Sequence, residues 1–217
     1  MSTSRASRHL VFHELLDALR GGHLCALCHL ENRSVERYFS SVFHESVNDP
    51  GLREELLKSR GYCPRHARMM LRNGDAMGIA ILYEDQVRLA LSDYQGGAAA
   101  KHRAGGAICP ACRKQADARS RYCSTLLEWL NDADVQEALE RSGGFCVPHT
   151  RYLQERAPAV DRDRLTDLLR RRLESLKTEL GEFRRKNDYR FRHEGFGSEA
   201  DSWRRAVRLL TGEDDVF

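Results

Sequence analysis

The sequence carries one set of metal-binding residue types twice. Three thiolates and one imidazole are the ligands of a closed, tetrahedral structural zinc site. Each set therefore predicts one bound ion, without an open position for a catalytic water. The candidate ligands are Cys25, Cys28, Cys63 and His66 in the first set, and Cys109, Cys112, Cys146 and His149 in the second.

The residues around these ligands are repeated as well. Gly21-Gly22 and Gly105-Gly106 each stand shortly before the first cysteine of a set, and Gly61-Tyr62 and Gly144-Phe145 each precede the third. Unrelated CxxC motifs would not share their flanking residues. The pattern indicates an internal duplication with a period of about 84 residues.

Apolar residues recur at helical spacing along the chain, and no stretch shows the alternation of a β-strand. The predicted fold is therefore all-α: two zinc-bound helical hairpins with pseudo-two-fold symmetry, and long helices over 74–94 and 161–187. The predicted segments are an N-terminal helix (1–20), the first repeat (21–94), a Gly/Ala-rich linker (95–104), the second repeat (105–187), and a C-terminal segment with a helix (188–217).

The spacing of the ligands suggests that each hairpin closes on its own ion. The helix after the first CxxC is expected to have about 16 residues, or roughly 24 Å, and the returning helix about 10 residues, or roughly 15 Å. About three extended residues would cover the difference. Pairing within each repeat is the simpler arrangement, and exchange of ligands between repeats is the alternative that spacing leaves open.

Zinc is the expected metal, with two ions per chain, because structural zinc sites use four protein ligands. An iron–sulfur cluster is the alternative, since some clusters have similar ligands. Thioredoxin-type disulfides do not fit, because no βαβ pattern accompanies the CxxC motifs. The seventh cysteine, Cys123, aligns with Phe39 of the first repeat and is expected in the core.

Composition places few other limits on function. The formal net charge is +3, and two filled Cys₃His sites would reduce it to about +1. A near-neutral protein gives little support to nucleic-acid binding. The N-terminus lacks an apolar leader, and the apolar run from Met77 to Tyr83 is too short to span a bilayer. We therefore expect a cytoplasmic protein.

The C-terminal segment is the candidate partner surface, because it mixes aromatic and charged residues. A protein partner is expected. The arginine-rich stretch from Arg151 to Arg192 also contains acidic residues at helical spacing, so nucleic-acid binding is the less favoured alternative. The candidate contact residues are Tyr189, Arg190, Phe191, Arg192, His193 and Trp203.

The tandem CxxC motifs and the two Gly-[Tyr/Phe]-Cys-x-x-His motifs resemble a bacterial family described as a domain of unknown function. The stretch from Asp188 to Ala206 is also similar to the C-terminal end of that family. The resemblance implies a bacterial, cytoplasmic protein. It implies no activity, substrate or catalytic residue.

Together these patterns predict a non-enzymatic, zinc-binding helical protein that acts as an interaction or regulatory module. No nucleophile–base pair, phosphate-binding loop or carboxylate pair occurs at an informative spacing. The alternatives are a thiol-based redox or metal-responsive protein, an iron–sulfur protein and a nucleic-acid-binding protein.

Overall fold

The structure is a computed structural model that describes residues 9–72, 75–95, 107–214 and 216–217, without the side chain of Arg192. Within these ranges it is entirely helical and contains no β-strand, which confirms the predicted all-α class. The predicted linker over 95–104 lies outside the described residues except for Gln95, which ends a helix.

Ten α-helices form the described part of the chain. Their bounds are α1 Leu10–Arg20, α2 Ala26–Ser41, α3 Pro50–Ser59, α4 Pro64–Leu71, α5 Ala76–Gln95, α6 Pro110–Glu128, α7 Ala133–Arg141, α8 Val147–Gln154, α9 Ala159–Lys186 and α10 Ser202–Thr211. The described residues also contain three shorter helical segments, namely a π-helical turn Val42–Ser46 and two 3₁₀ helices, Tyr189–Glu194 and Ser198–Asp201.

Several helices begin at residues whose chemistry favours a start. The Asp49 carboxylate accepts a hydrogen bond from the Leu52 backbone N–H at 2.7 Å, and Pro50 follows at the first helical position of α3. Both features satisfy or remove N–H groups that a helix N-terminus would otherwise leave unpaired. Asp132 caps α7 in the same way, through the Asp134 N–H.

The chain divides into two compact units that do not coincide with the two sequence repeats. The first unit contains residues 1–30 and 119–217, and the second contains residues 31–118. The boundaries fall inside α2 and inside α6. Each unit therefore combines part of one repeat with part of the other.

In the first unit, α1 packs on α7, while α8 and α10 pack on α9. Phe12 and Leu15 of α1 are fully buried, and the Phe12 ring meets the Trp129 ring edge-on with centroids 5.0 Å apart. Tyr122 is also buried, and its hydroxyl donates to the Glu14 carboxylate at 2.7 Å. The apolar stripe predicted for the N-terminal helix is thus the face that enters the core.

In the second unit, α3 packs on α5 around a core that α2 also supplies. Phe39 is fully buried, and its ring meets the Tyr62 ring edge-on at 5.1 Å. Leu56 and Leu82 complete the centre of this core. Tyr62 directly precedes Cys63, so the core packing also fixes the position of a predicted metal ligand.

Glu199, which is buried, and Lys186, which is partly buried, form an ion pair in the first unit. The Lys186 ammonium donates to Glu199 Oε1 at 2.8 Å, and the Gly197 backbone N–H donates to the same oxygen at 2.9 Å. These hydrogen bonds, the first from Lys186, lower the pKa of Glu199 to about 2. The pair holds the segment after α9 against the end of that helix.

We expect Glu199→Gln to remove a pH-dependent contribution to stability. Because the folded-state pKa is lowered, this contribution is complete above the unfolded pKa of about 4.3 and disappears as the pH falls towards about 2. Urea unfolding midpoints of the variant and the wild type should differ most near neutral pH and converge in acid. Glu155→Gln, at an exposed site, is the control, and a gap independent of pH would contradict the assignment.

Candidate metal centres

The eight predicted ligands form two clusters, in each of which the ligand atoms lie within 4.8 Å of one another. Both clusters combine the CxxC of one repeat with the CxxH of the other, so the prediction of pairing within each repeat was wrong. Centre 1 consists of Cys25, Cys28, Cys146 and His149, and lies in the first unit. Centre 2 consists of Cys63, His66, Cys109 and Cys112, and lies in the second unit.

The lengths of the helices explain the exchange. The π-helical turn Val42–Ser46 continues α2 without a break, so the outward path is about 30 Å, whereas α3 returns only about 15 Å. The three residues between α3 and Cys63 reach about 10 Å when extended, which is too short to close the gap. The second repeat has the same imbalance, since α6 has 19 residues and α7 has 9.

Every ligand pair sits at the start of a helix. Cys25 and Cys109 directly precede α2 and α6, and Cys63 and Cys146 are the N-caps of α4 and α8. The carbonyls of all four cysteines accept a hydrogen bond from the N–H four residues later. Each centre therefore lies between two helix N-termini, whose dipoles favour negatively charged thiolates.

The distances within the clusters match a single tetrahedral ion. Zinc bonds of about 2.3 Å to sulfur and 2.0 Å to nitrogen imply separations of about 3.8 Å between sulfurs and about 3.5 Å between sulfur and nitrogen. The Cys28–Cys146 and Cys63–Cys112 sulfurs are 3.6 and 3.7 Å apart. The sulfurs lie 3.2–3.8 Å from the histidine Nδ1 atoms.

In centre 1 the thiols shift each other's ionisation in opposite directions. Burial alone would raise the pKa of Cys25, but hydrogen bonds with neighbouring ligands, Cys146 first, hold it well below the ordinary value. Hydrogen bonds with Cys146 and Cys25, followed by burial, raise the pKa of Cys28. One thiolate therefore forms at the expense of the others, because like charges at this distance repel. A divalent cation would relieve that repulsion, so this donor set fits a metal ion.

In centre 2, too, the pKa of one thiol is lowered and that of another is raised. Burial would raise the pKa of Cys63, but the His66 backbone N–H leads a group of hydrogen bonds that lower it. Burial, then the charge at Cys109, raises the pKa of Cys112 to about 12. Both clusters are thus able to hold a metal ion, and their thiol and imidazole ligands fit that role.

Arg172 of α9 lies beside centre 1. Its guanidinium packs so closely on Gly143 that a Cβ at this glycine would lie 2.7 Å from Nη1. Nη1 is buried and has no hydrogen-bond partner among the described residues. Burial lowers the pKa of Arg172, and the charges of Cys25 and Cys146 act in the opposite direction. Since a filled Cys₃His site carries about −1, Arg172 supplies a compensating positive charge.

The end of the chain covers centre 1. The Phe217 ring meets the His149 ring at 4.9 Å, and Val216 is buried. Arg119 donates to the Val216 carbonyl at 3.2 Å and places its guanidinium 4.5 Å from the Phe217 ring centroid. As a result, all four ligands of centre 1 are 0% exposed.

Centre 2 is more open. The side chains of Cys63 and Cys112 are only partly buried, whereas His66 is fully buried and Cys109 is 9% exposed. A cavity of about 540 Å³ lies beside the centre, and both Cys63 and Cys109 line it. The two centres thus share a ligand set but differ in access.

Other residues singled out from the sequence have varied positions. Cys123 is fully buried, which confirms its predicted place in the core. His29 is half-buried and stacks on His23 with ring centroids 3.6 Å apart. No spacing pattern in the sequence indicates this stack or the position of Arg172. His9 and His13 are exposed.

The candidate partner residues lie in the first unit. Tyr189 is 79% exposed and Trp203 is 48% exposed. Arg190 and His193 are also exposed, and Phe191 is partly buried. The side chain of Arg192 lies outside the described residues. Arg190 pairs with Asp188 at 2.7 Å, and Arg185 lies over the Phe191 ring with 4.8 Å to its centroid.

The protein thus belongs to a class of duplicated chains with two cysteine–histidine clusters, and its described residues form helices without a β-strand. The model of a family of unknown function (DUF6062) matches residues 8–104 and again residues 94–216. The chain belongs to this family, as the resemblance of its motifs predicted.

The chain is also similar to a curated protein described as "Uncharacterized 23.9 kDa protein in xynA 3'region" from Caldicellulosiruptor sp. (strain Rt8B.4). The two are 28% identical over 193 residues, which cover 87% of this chain and 95% of that protein. No solved structure matches the chain. Among the described helices, none combines the length and apolar character that crossing a membrane requires.

The exchange of ligands can be tested with paired substitutions. Cys25→Ser with Cys146→Ser should leave about one ion per chain, because both residues belong to centre 1. Cys25→Ser with Cys63→Ser should remove both ions, because it damages both centres. Elemental analysis of the purified variants distinguishes the arrangements, since pairing within repeats predicts the reverse result.

Proposed function

We propose that this protein binds two structural zinc ions and acts as a non-enzymatic interaction module. The observation that carries the proposal is the convergence of the eight ligands into two four-ligand sets with single-ion spacing. Four protein ligands fill a tetrahedral zinc site, which leaves no position for a substrate or a reactive water. The metals would then stabilise the fold.

The same distances favour zinc over an iron–sulfur cluster. A cluster distributes its cysteine ligands over several iron atoms, so their sulfurs lie farther apart than the ligands of one ion. In both centres all ligand atoms are within 4.8 Å of one another. The structure describes all seven cysteines and contains no disulfide among them, which supports the proposed location in the reducing cytoplasm.

The exposed face of α10 is the proposed contact surface. Trp203, Val207 and Leu210 are spaced as one helical stripe and are 48%, 59% and 57% exposed. Another face of the helix is anchored by Leu209 and Ser202, which are fully buried. A rigidly held helix with an exposed apolar stripe is suited to bind another protein.

The charges beside this stripe favour an acidic partner. Arg204 and Arg208 are exposed on α10, and the Arg204 guanidinium lies 4.7 Å from the centroid of the Trp203 ring. We therefore propose a protein partner with an apolar groove and an acidic rim. Complementary charges of this kind accelerate association and select the partner.

Nucleic-acid binding receives less support. On α9, Arg170 contacts Asp167 at 3.0 Å and Glu174 at 3.6 Å. Arg185 contacts Glu182 at 3.0 Å. These acidic neighbours reduce the positive field along the helix that phosphate binding requires.

The second candidate function is a thiol-based redox or metal response, and it is favoured at only one of the two centres. It is supported at centre 2, where Cys63 and Cys112 are only partly buried. The complete burial of the ligands opposes it at centre 1.

Removal of the metals should unfold the protein. The purified chain should contain about two zinc ions, and chelation should abolish the cooperative thermal transition and much of the helical circular dichroism, because the binding free energy of the ions is part of the free energy of folding. Adding zinc back should restore both signals. A metal-free chain with an unchanged transition would contradict the structural role.

The contact surface can be tested by Val207→Asp with Leu210→Asp. Both side chains are exposed, so the thermal midpoint should change little, whereas recovery of a co-purifying protein partner should be lost. Val160→Asp, at an exposed position on α9, is the matched control. Equal recovery with both variants would exclude α10 as the contact surface.

A further inference from the structure

The two centres differ in the burial of their cysteine residues. In centre 1, Cys25, Cys28 and Cys146 are 0% exposed. In centre 2, Cys63 and Cys112 retain partial exposure. Since the ligand types and their positions at helix N-termini are the same, access is the property that separates the centres.

The cavity beside centre 2 provides a route to its sulfurs. It has a volume of about 540 Å³, which exceeds the volume of a hydroperoxide molecule many times over, and Cys63 and Cys109 form part of its wall. Tyr62, Tyr83 and Gln86 line it as well. A small polar oxidant could therefore reach the Cys63 sulfur without any rearrangement of the core.

Protection at centre 1 comes from identified side chains. Phe217 packs on the His149 ring, and Arg119 holds the neighbouring Val216 carbonyl. Arg172 occupies the space beside Gly143 and interacts electrostatically with Cys25 and Cys146. A reagent must displace one of these groups before it can contact a ligand.

We propose that centre 2 is a peroxide-reactive metal centre and that centre 1 is inert. Cys63 is the reacting thiolate, and Cys112, whose sulfur lies 3.7 Å away, is its disulfide partner. The proposal rests on the proposed function in one respect, namely that both centres hold zinc.

The reaction balances with hydrogen peroxide as the oxidant. The Cys63 sulfur attacks one peroxide oxygen, the O–O bond breaks, and a sulfenic acid and hydroxide form. The Cys112 sulfur then attacks the Cys63 sulfur, the S–S bond forms, and a second hydroxide leaves. Two protons convert the hydroxides into water, and the two electrons lost by the thiolates reduce the peroxide. Only His66 and Cys109 then remain as ligands, too few to retain the ion.

The experiment uses the full-length, zinc-loaded chain. Elemental analysis first establishes two ions per chain, and failure at this step contradicts the proposed function rather than the difference between the centres. Hydrogen peroxide is then added in the presence of a chromogenic zinc chelator. We expect one ion to be released at least about tenfold faster than the other, because access governs the reactivity of thiolates.

Peptide mapping identifies the centre that reacts. After the fast phase, a Cys63–Cys112 disulfide should be present, while Cys25, Cys28 and Cys146 should still react with an alkylating reagent after denaturation. Release of both ions at one rate would overturn the proposal. Oxidation of the centre 1 cysteines in the fast phase would overturn it as well.

Two variants test the route of access without altering a ligand. Ala90→Leu fills part of the cavity and should slow the fast phase about threefold or more, since reaction depends on access. Ala80→Leu, the same change at an exposed site on α5, should leave it unchanged. Phe217→Ala should accelerate release of the second ion. If Ala90→Leu and Ala80→Leu behave alike, the cavity is not the route.

Discussion

The convergence of helix N-termini on shared cysteine–histidine clusters is the constraint on which the rest of the structure depends. Each cluster brings thiols within 3.6–3.7 Å of one another, where they cannot all be ionised without a cation. The helix dipoles reduce this cost, and a divalent ion removes it. The helices that carry the ligands must therefore pack with their N-termini together, which determines how α2 meets α8 and how α4 meets α6.

This constraint gives the duplicated sequence an unexpected arrangement. A repeat usually corresponds to one compact unit, but here the compact units are built from exchanged parts. In the first unit, α1, which precedes the CxxC of the first repeat, packs on α7, which precedes the CxxH of the second repeat. In the second unit, α5, which precedes the CxxC of the second repeat, packs on α3, which precedes the CxxH of the first repeat. Each unit still contains one CxxC and one CxxH, although the two motifs come from different repeats.

The sequence predicted the all-α class and the family, and it singled out the eight residues that the structure brings together. Residue type and spacing are sufficient for these conclusions. It did not predict the pairing, because that depended on where α2 ends, and the π-helical turn Val42–Ser46 lengthens the outward path by five residues. Arg172 and the cover formed by Phe217 were also missed, because these contacts join residues far apart in the chain. Repeat alignment cannot reveal such differences, since it reports what the two halves share.

The order of the ligands along the chain also determines how the protein can assemble. All four ligands of centre 2 lie in the sequence between the CxxC and the CxxH of centre 1. His66 and Cys109 are 43 residues apart, whereas Cys28 and His149 are 121 apart. Closing the shorter loop costs about 1 kcal/mol less entropy. During synthesis the inner centre can close before the last outer ligands have been made, and its closure shortens the remaining loop. The order of the ligands therefore allows Cys25 and Cys28, the first cysteines to be synthesised, to enter their centre last.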